Sequence, residues 1–444
     1  MYVERPPDYR SLIERLPAER WIELVQAGAP EGREYIHWDK LRHMESPAGL
    51  THEEWWFVIK LSRQRLLRAT PLTDPDGQPF VYSSIPDAIF RQLHYVDQQC
   101  SGSIAMAEVV TADDHARQHY LVNSLMEEAI RSSQLEGATT SRRVAKELLR
   151  SGRSPKDRSE RMILNNYRGL QFMRDEIGDT LTPAAVLELH RILTEGTLDN
   201  PDAAGRLQRP DEDRVAVYDS QDGSLLHRPP PAEQLEARLD EMCDFANETN
   251  TPERFVHPVI RAILLHFWLA HDHPFEDGNG RTARALFYWH MRERGYWLVE
   301  YLSISKILRG APAKYSKSFL LTETDERDTT YFIEYQLQVI QRAVDQLHAY
   351  LRRKVKEIRD VERLIKGSSE FNHRQLALLG NAVRMPDESY TFHSHAMSHD
   401  VTHETARNDL QALLARELLE QRRVGRRYVF TPVTDLAERL QQGH

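Results

Sequence analysis

A histidine, a carboxylate, a glycine pair and two arginines fall within twelve residues, His273-Pro-Phe-Glu-Asp-Gly-Asn-Gly-Arg-Thr-Ala-Arg284. The imidazole of His273 can accept a proton near neutral pH. Gly278-Asn279-Gly280 at the start of a helix can turn several backbone N–H groups into one concavity. With the positive end of the helix dipole behind them, these groups form an anion nest. Arg281 and Arg284 stand three residues apart on one helical turn, where both can reach a polyphosphate. Asp277 sets a carboxylate beside those phosphates, the arrangement that Mg²⁺ bridging phosphate oxygens requires. Phe275 is expected to pin the loop into the core. A lone histidine after an apolar helix is usually structural, and a Gly-Asn-Gly turn alone is only a loop. Base, carboxylate, nest and two arginines together suit transfer of a phosphate-containing group, a reaction that asks mainly for positioning and charge stabilisation.

The elements that must hold this loop are helices. Before it runs an apolar segment with Ile260, Leu264, Leu265, Phe267 and Trp268; after it come Ala285, Leu286, Phe287 and Trp289. Apolar spacing predicts helices over Pro258–Ala270 and Thr282–Arg294, with others at Ser141–Ser151, Asp157–Ile177, Pro183–Glu195, Pro231–Asn247 and Thr329–Arg359. Leu121, Leu125 and Ala129, flanked by Val122, Met126 and Ile130, mark a further helix that Gly137 stops. Between helices, Arg214–His227 reads as a β-hairpin turning at Asp222-Gly223. Such a hairpin must lean on the helical domain, and it is a candidate docking edge for an extended segment. The first hundred residues read as a small α+β or mainly helical region, with a hairpin or loop over Pro71–Ser84.

The twelve residues match every fixed position of His-x-Phe-x-(Asp/Glu)-Gly-Asn-Gly-Arg-x-x-Arg, and the chain resembles the Fic family on that motif. The likeness extends over the helical block from roughly Leu121 to Gln341. It implies a mainly α fold, a Fic-type helical bundle with a β-hairpin flap. The implied activity is protein adenylylation: transfer of AMP from ATP, with Mg²⁺, to a Ser, Thr or Tyr hydroxyl of a target protein or of the chain itself. By the same resemblance His273 is the base, Asp277 the Mg²⁺ ligand, and the amides of Gly278, Asn279 and Gly280 with Arg281 the phosphate cradle. Arg284 would hold the γ-phosphate, and the hairpin 214–227 would order the target segment by strand addition. Relatives that phosphorylate carry a lysine where this chain has Gly280. Tyr315 is placed by analogy in the adenine pocket, against the alternative of a core tyrosine.

Fic proteins often carry an inhibitory helix ending in (Ser/Thr)-x-x-x-Glu-(Gly/Asn), and Ser132-Ser-Gln-Leu-Glu136-Gly137 matches it on the helix 121–137. Glu136 could pair bidentately with Arg284 and remove the γ-phosphate's partner; the alternative is an ordinary glutamate at a helix end. Some relatives use this glutamate to remove AMP, so that activity, or transfer of another phosphate-containing group, stays open beside the first.

Composition sets the frame. The chain has 444 residues and 51.7 kDa, 40% apolar and 28% charged, with no low-complexity tract. It is long enough for two or three domains, divided here as 1–104, a catalytic block 105–366, and 367–444. Net charge of −9 excludes a chain-wide electrostatic nucleic-acid binder. Cys100 and Cys243 form neither a disulfide framework nor a metal cluster. Early Glu4 and Asp8 argue against a signal peptide, and no stretch suits a membrane span, so a cytoplasmic location is expected. The tail reads as helix Asn372–Val383, strand Tyr390–Phe392, helices Ser394–His399 and Thr402–Arg416, and a ribbon Leu419–Thr431 turning at Val424-Gly425-Arg426. That is the order of a winged helix-turn-helix. Arg422, Arg423, Arg426 and Arg427 crowd the ribbon and suit DNA phosphate, but acidic and basic residues balance over the tail, so its field is weak and protein docking is the alternative. A DNA-binding regulator that senses nucleotide is therefore the reading from another class; the intact His273 argues against a purely sensory site. A homodimer is compatible with the family.

Overall fold

Two consecutive helices carry the loop, and the rest of their unit is packed around them. The computed structural model describes residues 2–27, 35–83, 87–101, 114–214, 217–218, 225–249, 255–367, 370–384, 388–424 and 427–442. These fall into two units, one of residues 2–101 with 119–345 and another of 114–118 with 346–442.

In the first unit, helix Pro258–Asp272 opens with proline at its first turn, where no N–H is needed, and His257 caps it by accepting the Val259 N–H at 3.3 Å. It is buried on nearly all sides, from Val259 to Asp272. A helix apolar all round belongs at the centre of a core. Helix Asn279–Glu293 follows after six residues and is buried from Arg281 to Met291. It begins three residues earlier than expected from Thr282, because Gly278 turns the chain into it from inside the motif. Helices Arg158–Asp175 and Pro183–Thr194 lie against this pair, with Asp157 and Thr182 as N-caps. Helix Asp114–Leu135 brings Ser132 to the pair, and Asn166 grips it by donating to the Ala129 carbonyl at 3.1 Å.

Residues 2–101 belong to the same unit. Helix His52–Gln64 buries Trp55, Trp56 and Phe57, with Tyr9, Leu12 and Leu24 packed on it. The expected turn region forms an antiparallel hairpin, Leu67–Thr73 with Pro79–Ser83, closed by Asp74, whose Oδ1 accepts the N–H groups of Asp76 and Gln78. Lys60 pairs with Asp325 at 2.8 Å, both fully buried, and Tyr35 donates to Asp328 at 2.6 Å. Two short helices that periodicity did not mark, Ile304–Gly310 and Pro312–Thr324, complete the wall near the site. Of the hairpin 214–227, strands Val217–Tyr218 and Leu225–His227 pair antiparallel; its turn at Asp222-Gly223 lies outside the described residues.

The second unit holds the last part of helix Thr330–Gly367, which runs eight residues beyond the expected Arg359. Helices His373–Arg384, Phe392–His399 and His403–Ala415 follow, then an antiparallel ribbon of Leu419–Val424 with Arg427–Pro432, and helix Leu436–Gln442. Leu378, Leu379, Leu410, Leu413 and Phe430 form its core. The expected strand Tyr390–Phe392 reduces to one bridge from Tyr390 to Phe430. Phe392 instead starts a helix, because Thr391 caps it by accepting the Ser394 N–H at 3.0 Å. The tip at Gly425-Arg426 lies outside the described residues. Among the described helices, none is long and apolar enough to cross a membrane.

Candidate active site

His273 ends helix Pro258–Asp272 in the left-handed conformation, φ 45° and ψ 52°, while its N–H still closes the helix on Leu269 at 3.0 Å. A side chain seldom adopts that backbone. Arg214, from the stem of the hairpin, holds it there by donating to the carbonyls of Asp272 (2.7 Å) and His273 (3.2 Å). The Nδ1 atom lies 3.3 Å from the Ala270 carbonyl, which can only accept. Nδ1 therefore carries the proton and Nε2 the lone pair. Burial pushes the His273 pKa down to about 4. The ring is thus a weaker base than an exposed imidazole, and it stays unprotonated throughout the neutral range.

Phe275 is fully buried and does pin the loop, its ring stacked on His190 with centroids 3.8 Å apart. Burying one such side chain is worth roughly 1.5–3 kcal/mol. Asn279 clamps the same residue from the other side. Its Oδ1 accepts the Phe275 N–H at 3.0 Å and its Nδ2 donates to the Phe275 carbonyl at 2.8 Å. The Asn279 side chain is thereby committed to the shape of the loop, and only its backbone N–H is left for an anion.

Gly278 takes φ 86°, and a Cβ there would meet Thr194 Cγ2 at 2.7 Å, so both conformation and space demand glycine. It is the N-cap of helix Asn279–Glu293, with no side chain capping the first turn. Those first-turn N–H groups are the ones from which the sequence predicts an anion nest. Asp277 accepts the Gly278 N–H at 2.5 Å through Oδ1 and faces Arg281 Nη2 at 3.2 Å through Oδ2, while its side chain remains 41% exposed. Arg281 is buried and donates its Nη1 to the Leu193 carbonyl at 2.9 Å.

Glu136 reaches this nest from the end of the helix that carries Ser132. Its Oε1 lies 2.9 Å from Arg284 Nη2, and a Cβ built on Gly280 would come within 2.3 Å of the same oxygen. The carboxylate therefore lies beside Gly280 in the first turn of the helix. The bidentate pair expected from the sequence does not form. Arg284 turns Nε to Ser132 Oγ (3.0 Å) and shares Nη2 between Ser132 Oγ (2.8 Å) and the Ser132 carbonyl (3.2 Å), and its Nη1 has no hydrogen-bond partner. Arg284 is fully buried; burial opposes its charge, but Glu136 and neighbouring groups hold its pKa above the ordinary value. Gly137, at φ 96°, carries the chain away from Glu136. The Glu136 charge also acts on His273 and Arg281, so base, nest and both arginines share one field with it.

The sequence of residues 180–291 matches the Fic/DOC family. The chain is similar to Fic proteins over that part. It is 35% identical over 108 residues to protein adenylyltransferase Fic of Nematostella vectensis, covering 24% of this chain and 22% of that protein. It is 29% identical over 171 residues to protein adenylyltransferase fic-1 of Caenorhabditis elegans, covering 36% of this chain and 30% of the relative. The chain thus spans less than a third of the length of these two curated relatives. In fold it is similar to a Fic family protein of Desulfovibrio desulfuricans G20, with a TM-score of 0.53 at 18% identity over 82% of this chain and 99% of that one.

Several residues that shape this site lie outside the twelve-residue motif. His190 accepts the Gly205 N–H on Nδ1 at 3.0 Å, so its Nε2–H donates to the Asp277 carbonyl at 2.9 Å. Burial pushes its pKa down to about 4 and keeps that neutral form. Glu128, one turn before Ser132, is buried and accepts Ser303 Oγ (2.8 Å) and Ser305 Oγ (2.5 Å), tying the helix Asp114–Leu135 to the start of the helix Ile304–Gly310. Its i, i+4 spacing to Ser132 was the signal that could have found it. Tyr315 places its hydroxyl 2.8 Å from His266 Nε2.

Proposed function

We propose that this protein transfers AMP from ATP to a Ser, Thr or Tyr hydroxyl of a protein, its own chain included, and that Glu136 holds the reaction in check. The observation that carries this reading is the lone-pair nitrogen of His273 in one buried site with an uncapped helix start and Arg284. The names of the curated relatives, protein adenylyltransferases, point the same way.

In this reading His273 Nε2 takes the proton of the target hydroxyl. The hydroxyl oxygen bonds to the α-phosphorus of ATP, the bond from that phosphorus to its bridging oxygen breaks, and pyrophosphate leaves. The amides of Gly278, Asn279 and Gly280, with Arg281, stabilise charge on the leaving group, and Arg284 binds the γ-phosphate once Glu136 has withdrawn. Asp277 is the residue to hold Mg²⁺, because its half-exposed carboxylate now leans on an N–H and an arginine that face phosphate too; the ion would supply further charge neutralisation. Gly280 leaves room in the nest, and a lysine, as in phosphorylating relatives, is absent there. The paired strands Val217–Tyr218 and Leu225–His227 offer the target segment an edge to extend.

For the second unit we infer a winged helix-turn-helix that meets DNA phosphate. Arg422, Arg423 and Arg427 are exposed on the ribbon, and His403, Arg407 and Asn408 are exposed on the helix that would face a groove. A gel shift with genomic fragments at low and moderate salt tests it; no shift at either salt assigns this unit to protein docking. Both cysteines are free and buried, which suits a reducing compartment, and we place the protein in the cytoplasm.

The test of the main reading uses wild type, Glu136→Gly and Glu136→Gly/His273→Ala with Mg²⁺ and ATP labelled at the α- or the γ-phosphate. Label from the α-position alone on protein in Glu136→Gly, lost with His273, is the expected result. Label from the γ-position would replace adenylylation by phosphorylation.

A further inference from the structure

Two residues before His273, a second cluster of side chains converges that the transfer reaction does not use. One nitrogen each of His227 and His271 and a carboxylate oxygen of Glu323 lie within 4.8 Å of one another. They come from three elements: the strand Leu225–His227 of the hairpin, the helix Pro258–Asp272 and the helix Pro312–Thr324.

Proton positions follow from the partners. His227 Nε2 lies 2.6 Å from the His271 carbonyl oxygen, which can only accept, so Nε2 carries a proton. The lone pair of neutral His227 is then on Nδ1, which faces Glu323 Oε1 at 2.9 Å. Two acceptors at that distance need a cation between them. His271 Nδ1 is 3.2 Å from Asp272 Oδ1. That carboxylate is fully committed, taking Arg238 Nε (2.9 Å), Arg238 Nη2 (2.6 Å) and Trp268 Nε1 (3.0 Å). His271 therefore donates from Nδ1 and keeps its lone pair on Nε2. A carboxylate that orients a histidine through its second nitrogen is the outer-shell arrangement of metal-bound imidazoles.

A proton shared by His227 and Glu323 would satisfy only those two groups. A divalent ion takes the lone pairs of all three. We propose that His227, His271 and Glu323 form a zinc site, with water as the fourth ligand. Two imidazoles and a carboxylate make a known zinc donor set. Around a tetrahedral ion at about 2.1 Å the ligands stand roughly 3.4 Å apart, so closing onto the metal asks for movements of about 1 Å. His271 is 4% exposed while His227 and Glu323 are 11% and 22% exposed, which leaves an open side for the water and for entry. Zinc here would pin the returning strand of the hairpin to the helix that ends in His273. The site is distinct from Asp277 and stands or falls apart from the transfer reaction.

The experiment uses the full chain, stripped with chelator and titrated with Zn²⁺ by calorimetry, then with Co²⁺ by visible absorption. Wild type should bind one equivalent and give the intense Co²⁺ bands of a tetrahedral site. His227→Ala and Glu323→Gln should each weaken binding by at least about 10–100-fold while melting cooperatively, since both lie at the open side. His273→Ala and His395→Ala should bind as wild type does, which separates this site from the active site and from the histidines of the second unit. Binding unchanged in both His227→Ala and Glu323→Gln overturns the proposal, as does no Zn²⁺ bound by wild type at micromolar concentration, which would make a proton the occupant.

Discussion

Ser132, not Glu136, makes most of the contacts to Arg284. The hydroxyl accepts from both Nε and Nη2 of the guanidinium, and the Ser132 carbonyl accepts from Nη2 as well, while Glu136 meets Nη2 alone. Ser132 thus fixes the arginine, and the glutamate four residues on lies beside Gly280.

Glu136→Gly removes the carboxylate beside Gly280 and frees one face of Arg284. Hydrogen bonds to charged groups are worth about 1.5–3 kcal/mol, so the rate of transfer should rise on the order of 10–100-fold. Incorporation of α-labelled phosphate into protein measures it, and an unchanged rate would remove the brake from the account.

Ser132→Ala deletes the hydroxyl that holds Nε and Nη2. The arginine is then steered by Glu136 alone, and the brake should loosen by a smaller factor, roughly 3–10-fold in rate. In a Glu136→Gly background the same change should add little, because the two act on one guanidinium. Single and double variants in the same labelling assay distinguish the cases.

Gly278→Ala forces a side chain into φ 86° and against Thr194. The left-handed backbone alone costs about 1–2 kcal/mol, so the melting temperature should fall and transfer should be lost. A variant that melts like wild type would show that the loop can rearrange around the methyl group.

Because burial holds His273 near 4, its base form persists as pH falls well below the ordinary histidine value. In the Glu136→Gly variant the acid limb of kcat/KM should lie near pH 4 to 5 and not near 6.5. Removing Glu136 takes away a charge that raises this pKa, so the limb should not move upward. A limb at 6.5 would mean that the ring is more solvated than its packing indicates.

Stability should follow the buried histidines. His190 is pushed down to about 4 and His266 to about 3 by burial. Below 6.5 the unfolded chain takes up protons that the folded chain refuses, so stability is full above 6.5 and is lost progressively as pH falls toward 4. Calorimetric melts from pH 8 to 4.5 should be flat at the upper end and decline below about 6.5. Replacing His190 by Gln should flatten part of that decline.

The chemistry of the loop was legible in the sequence because its groups are contiguous. His273, Asp277, the Gly-Asn-Gly turn and the two arginines meet within a helix end, a turn and a helix start, and local geometry suffices to bring them together. Glu136 was legible only through a pattern, and the helices that frame the site through their apolar period.

What tertiary structure decided lies between residues far apart. Arg284 and Ser132 are separated by 152 positions and His190 and Asp277 by 87; periodicity reports which face of a helix is buried, not what it is buried against. The low pKa of His273, the commitment of the Asn279 side chain to Phe275, and the meeting of His227, His271 and Glu323 all depend on desolvation and on partners from other elements. Those are properties of the packed chain, and no spacing along the sequence carries them.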